Sequence, residues 1–160
     1  MSVVGGIRED NLIEDLAPIA VEIYNRKKNV QLKFWKVLRV DDPMKITLKA
    51  ANGRFMNTYE ATVSVEPMEL NPVDVDGPDV EPSDLINKLA EFAVDEYNRK
   101  KNAHLEFWKV ILEVKKQNVD DGIMYYITLK AVDGGLVTIY DAKVLVKLVD
   151  FQPVGGATSA

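Results

Sequence analysis

Few of the 160 residues could do chemistry. The chain has no cysteine, so thiolate nucleophiles, thiolate metal sites and disulfides are absent and the fold must hold by packing. His104 is the single histidine. No serine or aspartate stands with it in a catalytic order, so the expected role is a partly exposed strand residue paired across a sheet. Asp74-Val-Asp-Gly-Pro-Asp79 opens like a calcium loop, but no glutamate follows at the spacing such a loop needs. That leaves two adjacent carboxylates, Asp120 and Asp121, inside KQNVDDGIMYYITLKA, which looks like a strand, a turn and a second strand. Two acids at such a tip are well solvated in water and costly to bury against another protein without partners.

Composition narrows the classes further. A formal net charge of −5 argues against a nucleic-acid partner. The repeated clusters Arg26-Lys27-Lys28 and Arg99-Lys100-Lys101 follow helical patterns, where cations complement the helix C-terminus without any ligand. No apolar run approaches the roughly 20 residues that cross a bilayer, so no membrane partner is expected. MSVVGGIRED has neither the basic start nor the apolar core of a secretory signal.

The elements that position these residues come in duplicate. Ala20–Leu38 aligns without gaps to Ala93–Ile111 at an offset of 73, and thirteen of the nineteen positions are identical, which makes the chain a tandem repeat. Ile46–Ala50 then matches Ile127–Ala131, and Thr58–Val65 matches Ile139–Val146, at an offset of 81. Eight residues are therefore missing from the first repeat between Leu38 and Ile46. Each repeat opens on an amphipathic stripe: Ile86, Leu89, Ala90, Ala93, Val94 and Tyr97, mirrored by Ile13, Leu16, Ala17, Ala20, Val21 and Tyr24. Ser83 stands where an N-cap is wanted, whereas Pro18 should make the first helix start near Ala17 or bend there. Segments rich in Val, Ile, Thr, Tyr and Phe follow, punctuated by Asn52-Gly53 and Asp133-Gly134-Gly135. The expected class is α+β, with each repeat packing one helix on an antiparallel sheet of about four strands. The expected boundaries are residues 1–72 and 83–160, joined by a Pro- and Asp-rich linker at 73–82. In Phe34-Trp35 and Phe107-Trp108, adjacent rings on a strand should point to opposite faces unless a bulge intervenes.

Leu89–Asn98, LAEFAVDEYN, resembles the helix signature L-A-x-F-A-V-x-x-[HY]-N of plant cystatins. LEFWKV, GIMYYITLKA and YDAKVLVK are similar to the strands of that family, and the early VGG followed by IR is similar to its N-terminal start. The resemblance covers both repeats and implies two tandem cystatin-like domains that inhibit papain-like cysteine proteases with a wedge. The wedge combines an N-terminal glycine arm, a Q-x-V-x-G loop and a late Pro-Trp turn. It also implies no enzyme activity, no cofactor and no metal, with a protease as partner and the cytoplasm or plant sap as location.

Carried onto this chain, the candidate protease-binding residues are Gly5, Gly6, Pro67, Met68, Gln117, Asn118, Val119, Asp120, Asp121, Gly122, Leu148 and Val149. Both repeats depart from the pattern. The first keeps Gly5 and Gly6, but its loop is cut to RVDDPMK and its late turn reads Pro67-Met68. The second keeps Gln117, Val119 and Gly122, inserts Asp120 and Asp121, and has Leu148-Val149 for Pro-Trp. The expected activity is weak or redirected inhibition, with aspartic proteases as one redirected target. The alternative is a self-associating structural protein similar to cucurbit phloem filament proteins. Strand exchange should then open at the short Asp41-Asp42-Pro43 turn, and the second repeat should fold alone.

Overall fold

A computed structural model describes residues 12–41 and 44–154; Gly5, Gly6, Asp42 and Pro43 lie outside the described residues. The helices form where the apolar stripes place them. α1 spans Ala17–Lys28 and α2 spans Asp84–Lys101. Residues 12–15 are also helical, and the break at Leu16 comes just ahead of Pro18, which occupies the first turn of α1 where its missing N–H costs nothing. Ser83 caps α2, its Oγ accepting from the Ile86 N–H at 3.3 Å, whereas α1 has no side-chain cap. Both helices end on a left-handed asparagine, Asn29 (φ 55°) and Asn102 (φ 53°). Ser83→Ala is expected to cost about 1 kcal/mol in urea unfolding, since it leaves one first-turn donor to water alone.

A second asparagine in each repeat locks the helix to the strand that follows. The Asn25 amide donates to Leu32 O and accepts from Leu32 N, both at 2.9 Å. Asn98 makes the same pair with Leu105, at 2.8 and 2.9 Å. His104 is exposed in this connection and not in a strand, because β4 begins only at Glu106.

The strands are β1 (Lys33–Asp41), β2 (Lys45–Asn52), β3 (Phe55–Pro72), β4 (Glu106–Val119), β5 (Gly122–Asp133) and β6 (Leu136–Pro153). Their hydrogen-bonded order in the antiparallel sheet is β1-β2-β3-β6-β5-β4. Glycines at positive φ make the β2–β3 and β5–β6 turns, Gly53 at 64° and Gly134 and Gly135 at 59° and 88°. Alternate residues of β2 (Ile46, Leu48, Ala50) and of β5 (Tyr125, Ile127, Leu129, Ala131) are buried, as a half-buried sheet requires.

The chain forms two compact units that are not simply the two repeats. Unit 1 comprises residues 1–64, 120–122 and 147–160; unit 2 comprises 65–119 and 123–146. In unit 1 the fourth strand segment is the end of β6. Val154 N donates to Thr58 O at 2.9 Å, and the Phe151 ring stacks on Tyr24 of α1, with centroids 4.1 Å apart. In unit 2 the fourth segment is the end of β3, tied by Val73 N to Ile139 O at 2.9 Å. Each repeat therefore contributes three strands, and the third, 18 residues long, is shared between units. Pro67-Met68 and Leu148-Val149, expected in late turns, lie inside these long strands. At the β1–β2 connection Asp41 pairs with Lys45. Among the described residues no helix is long and apolar enough to cross a membrane.

Candidate functional site

The acidic tip is a two-residue turn. β4 runs to Val119 and β5 starts at Gly122, so only Asp120 and Asp121 connect them. Gln117, Asn118 and Val119, expected in a loop, are strand residues. Gln117 is held by the Tyr126 hydroxyl, which donates to its Oε1 at 2.8 Å. The two acids differ in their surroundings. Asp120 is exposed. Asp121 pairs with Lys27 at 2.9 Å, and its carbonyl accepts from Leu148 N at 2.8 Å, while an Arg26 guanidinium N–H donates to Gly122 O at 2.9 Å. The turn is thus seated within unit 1 against the end of α1 and the final stretch of β6.

The Lys27 hydrogen bond, with the ammonium charge behind it, holds the Asp121 carboxyl below its ordinary value of 3.8. A carboxyl that ionises more readily when folded adds stability above that ordinary value and loses it as pH falls through the lower, folded one. The pair is solvent-exposed, so the gain is small. In an NMR titration the Asp121 carboxyl is expected to have a midpoint below that of a free aspartate, and Lys27→Met is expected to raise it. An unchanged midpoint would show that the pair does not form in solution.

Of the other candidates, Leu148 is buried beside this turn while Val149 is 60% exposed. Pro67 and Met68 lie in unit 2, around a hollow of about 240 Å³ lined also by Ala93, Glu96, Tyr97 and Lys101 of α2. The structure therefore brings together Asp121, Gly122 and Leu148, and sets Pro67 and Met68 in the other unit.

Sequence reading missed Arg26 and Lys27 as partners of this turn, having assigned the cluster to the helix end alone. Its duplicate, Arg99-Lys100-Lys101, carried a usable signal. Arg99 turns back to Glu96 of its own helix, so an identical motif has a local partner in one repeat and a distant one in the other. Among the described residues no group of three or more His, Cys, Asp or Glu side chains could hold a metal ion.

Residues 78–153 match a family described as "Aspartic acid proteinase inhibitor". The chain is similar to "Cysteine proteinase inhibitor A" of Helianthus annuus, 52% identical over 81 residues, which covers 46% of this chain and 96% of the sunflower protein. It is 37% identical to "Multicystatin" of Solanum tuberosum over 89% of its own length, but spans only 22% of that longer protein. "Cysteine proteinase inhibitor 12" of Oryza sativa subsp. japonica is 41% identical over 52% of this chain and 36% of the rice protein.

Proposed function

The chain belongs to the plant cystatin family, and from that premise we propose that it acts as a protease inhibitor, not an enzyme, whose contact surface is the β4–β5 turn with the adjoining Leu148-Val149 stretch. The observation that carries this reading is the seated turn. Asp121 is fixed by Lys27 and by Leu148 N, so the family's first loop and its late apolar position remain neighbours although their residue types have changed.

The changed residue types set the strength. A papain-like cleft closing over the turn would strip water from Asp120 and Asp121, and burying polar groups without new partners costs several kcal/mol. Each 1.4 kcal/mol is about tenfold in affinity, so inhibition of papain is expected to be no tighter than about micromolar. A second reading, inhibition of aspartic proteases, is favoured by the family match over residues 78–153. Steady-state inhibition of papain and of pepsin by the full chain separates the two. Tighter inhibition of pepsin favours redirection, whereas nanomolar inhibition of papain would show that the wedge is intact and overturn the weak-inhibitor reading. Self-association by strand exchange is the remaining alternative. Its motivation is that β3 and β6 already lend their ends to another unit, and light scattering of the full chain tests it: a monomer at all concentrations removes it.

A further inference from the structure

The two repeats carry the same exposed cluster, and among the described residues only that of unit 2 has carboxylate partners. In unit 2, Trp108 is 50% exposed and has two ammonium groups over its ring, Lys109 Nζ 4.2 Å and Lys130 Nζ 5.6 Å from the ring centre. The extended segment ahead of α2 pairs with both lysines and leaves the ring half exposed. Lys109 pairs with Asp79 at 2.7 Å and Lys130 with Asp76 at 3.7 Å. The backbone adds to β4 as a short outer strand: Leu112 N donates to Pro78 O at 3.0 Å, Val80 N donates to Val110 O at 3.4 Å, and Asp79 bridges to Ile111. Ile111 beneath it is fully buried.

Unit 1 repeats the receptor half of this arrangement. Trp35 is 52% exposed, with Lys36 Nζ 4.4 Å and Lys49 Nζ 5.9 Å from its ring centre. No carboxylate pairs with Lys36 or Lys49 among the described residues. Leu38, the counterpart of Ile111, is 44% exposed, and β1 is the terminal strand of the sheet order. At the offset of 73, the places of Asp76 and Asp79 are taken by Val3 and Gly6, neither of which carries a charge.

We propose that the outer edge of β1, with Trp35, Lys36, Lys49 and Leu38, docks an extended acidic peptide of a partner protein that adds as a strand and presents two carboxylates three residues apart. The chain contains its own template for such a ligand, because Asp76-Gly-Pro-Asp79 occupies the equivalent place in unit 2. The chemistry is complementary at each point: an ammonium held over an indole face stays partly desolvated and still accepts a carboxylate, an unpaired strand edge accepts an added strand, and an exposed leucine gains cover.

The probe is a synthetic peptide with the sequence of residues 73–82, VDVDGPDVEP, added to the ¹⁵N-labelled full chain. The Trp35 indole N–H resonance is expected to shift saturably while that of Trp108 stays. The double variant Lys36→Gln/Lys49→Gln is expected to bind about tenfold more weakly, two exposed ion pairs being worth up to about 1 kcal/mol each. Replacing the two probe aspartates that correspond to Asp76 and Asp79 with asparagine should produce the same loss. No shift at Trp35, or a shift indifferent to the lysines and aspartates, overturns the proposal. So does binding that appears only after residues 1–11 are removed, which would make the chain's own N-terminal segment the occupant.

Discussion

Deleting residues 147–160 is expected to unfold unit 1 and leave unit 2 standing, although the deleted residues belong to the second repeat. Unit 2 ends at Val146 and loses nothing, whereas unit 1 loses its fourth strand segment. Leu148 is buried and the Phe151 ring lies against Tyr24 and Tyr59, with centroids 4.1 and 5.1 Å away. Burying these two side chains contributes roughly 3 kcal/mol, and the strand pairing adds about 1 kcal/mol for each hydrogen bond. Their sum is comparable with the total stability of a small domain, about 5–15 kcal/mol. Hydrogen exchange on the shortened chain should show loss of protection in β2 and the first half of β3, with β5 retained. Protection lost in β5 and kept in β2 would mean that each repeat folds on its own strands, the arrangement expected from the repeats alone.

Replacing Asp120 with valine and Asp121 with alanine is expected to strengthen papain inhibition by about 10- to 100-fold, as relief of roughly 1.4–2.8 kcal/mol of carboxylate desolvation implies. Asp120 should supply most of the gain, because it is exposed and removing it disturbs no packing. Removing Asp121 also frees Lys27, but that pair lies at the surface and contributes little to stability. The measurement is the inhibition constant of the double variant against that of the unsubstituted chain, with thermal unfolding as a control on the fold. An unchanged or weaker constant would place the protease contact away from this turn.

Much of the molecule is legible in its sequence. The apolar stripes determined both helices, Ser83 determined where the second begins, and Pro18 determined that the first starts near Ala17, because backbone geometry and local hydrogen bonding act within a few residues. Segments rich in Val, Ile, Thr, Tyr and Phe, with the turns at Asn52-Gly53 and Asp133-Gly134-Gly135, marked the strands that follow each helix. The repeat itself was plain in Ala20–Leu38 and Ala93–Ile111. The candidate site was legible as a set of residues but not as an arrangement. Nothing local to KQNVDDG announces that Lys27, ninety-four positions earlier in the chain, will close on Asp121.

What only the tertiary structure decided is which strand ends complete which unit. Val65–Pro72 and Val146–Pro153 are matching segments of the two repeats, each able to offer the same backbone hydrogen bonds and a similar apolar residue, Leu70 in one and Phe151 in the other. Backbone pairing carries no label of origin, so local sequence cannot choose between a strand that turns back onto its own repeat and one that runs straight on. The choice rests on the conformation at Pro67-Met68 and Leu148-Val149. There the chain stays extended, and that sends the end of each repeat into the unit built mainly from the other.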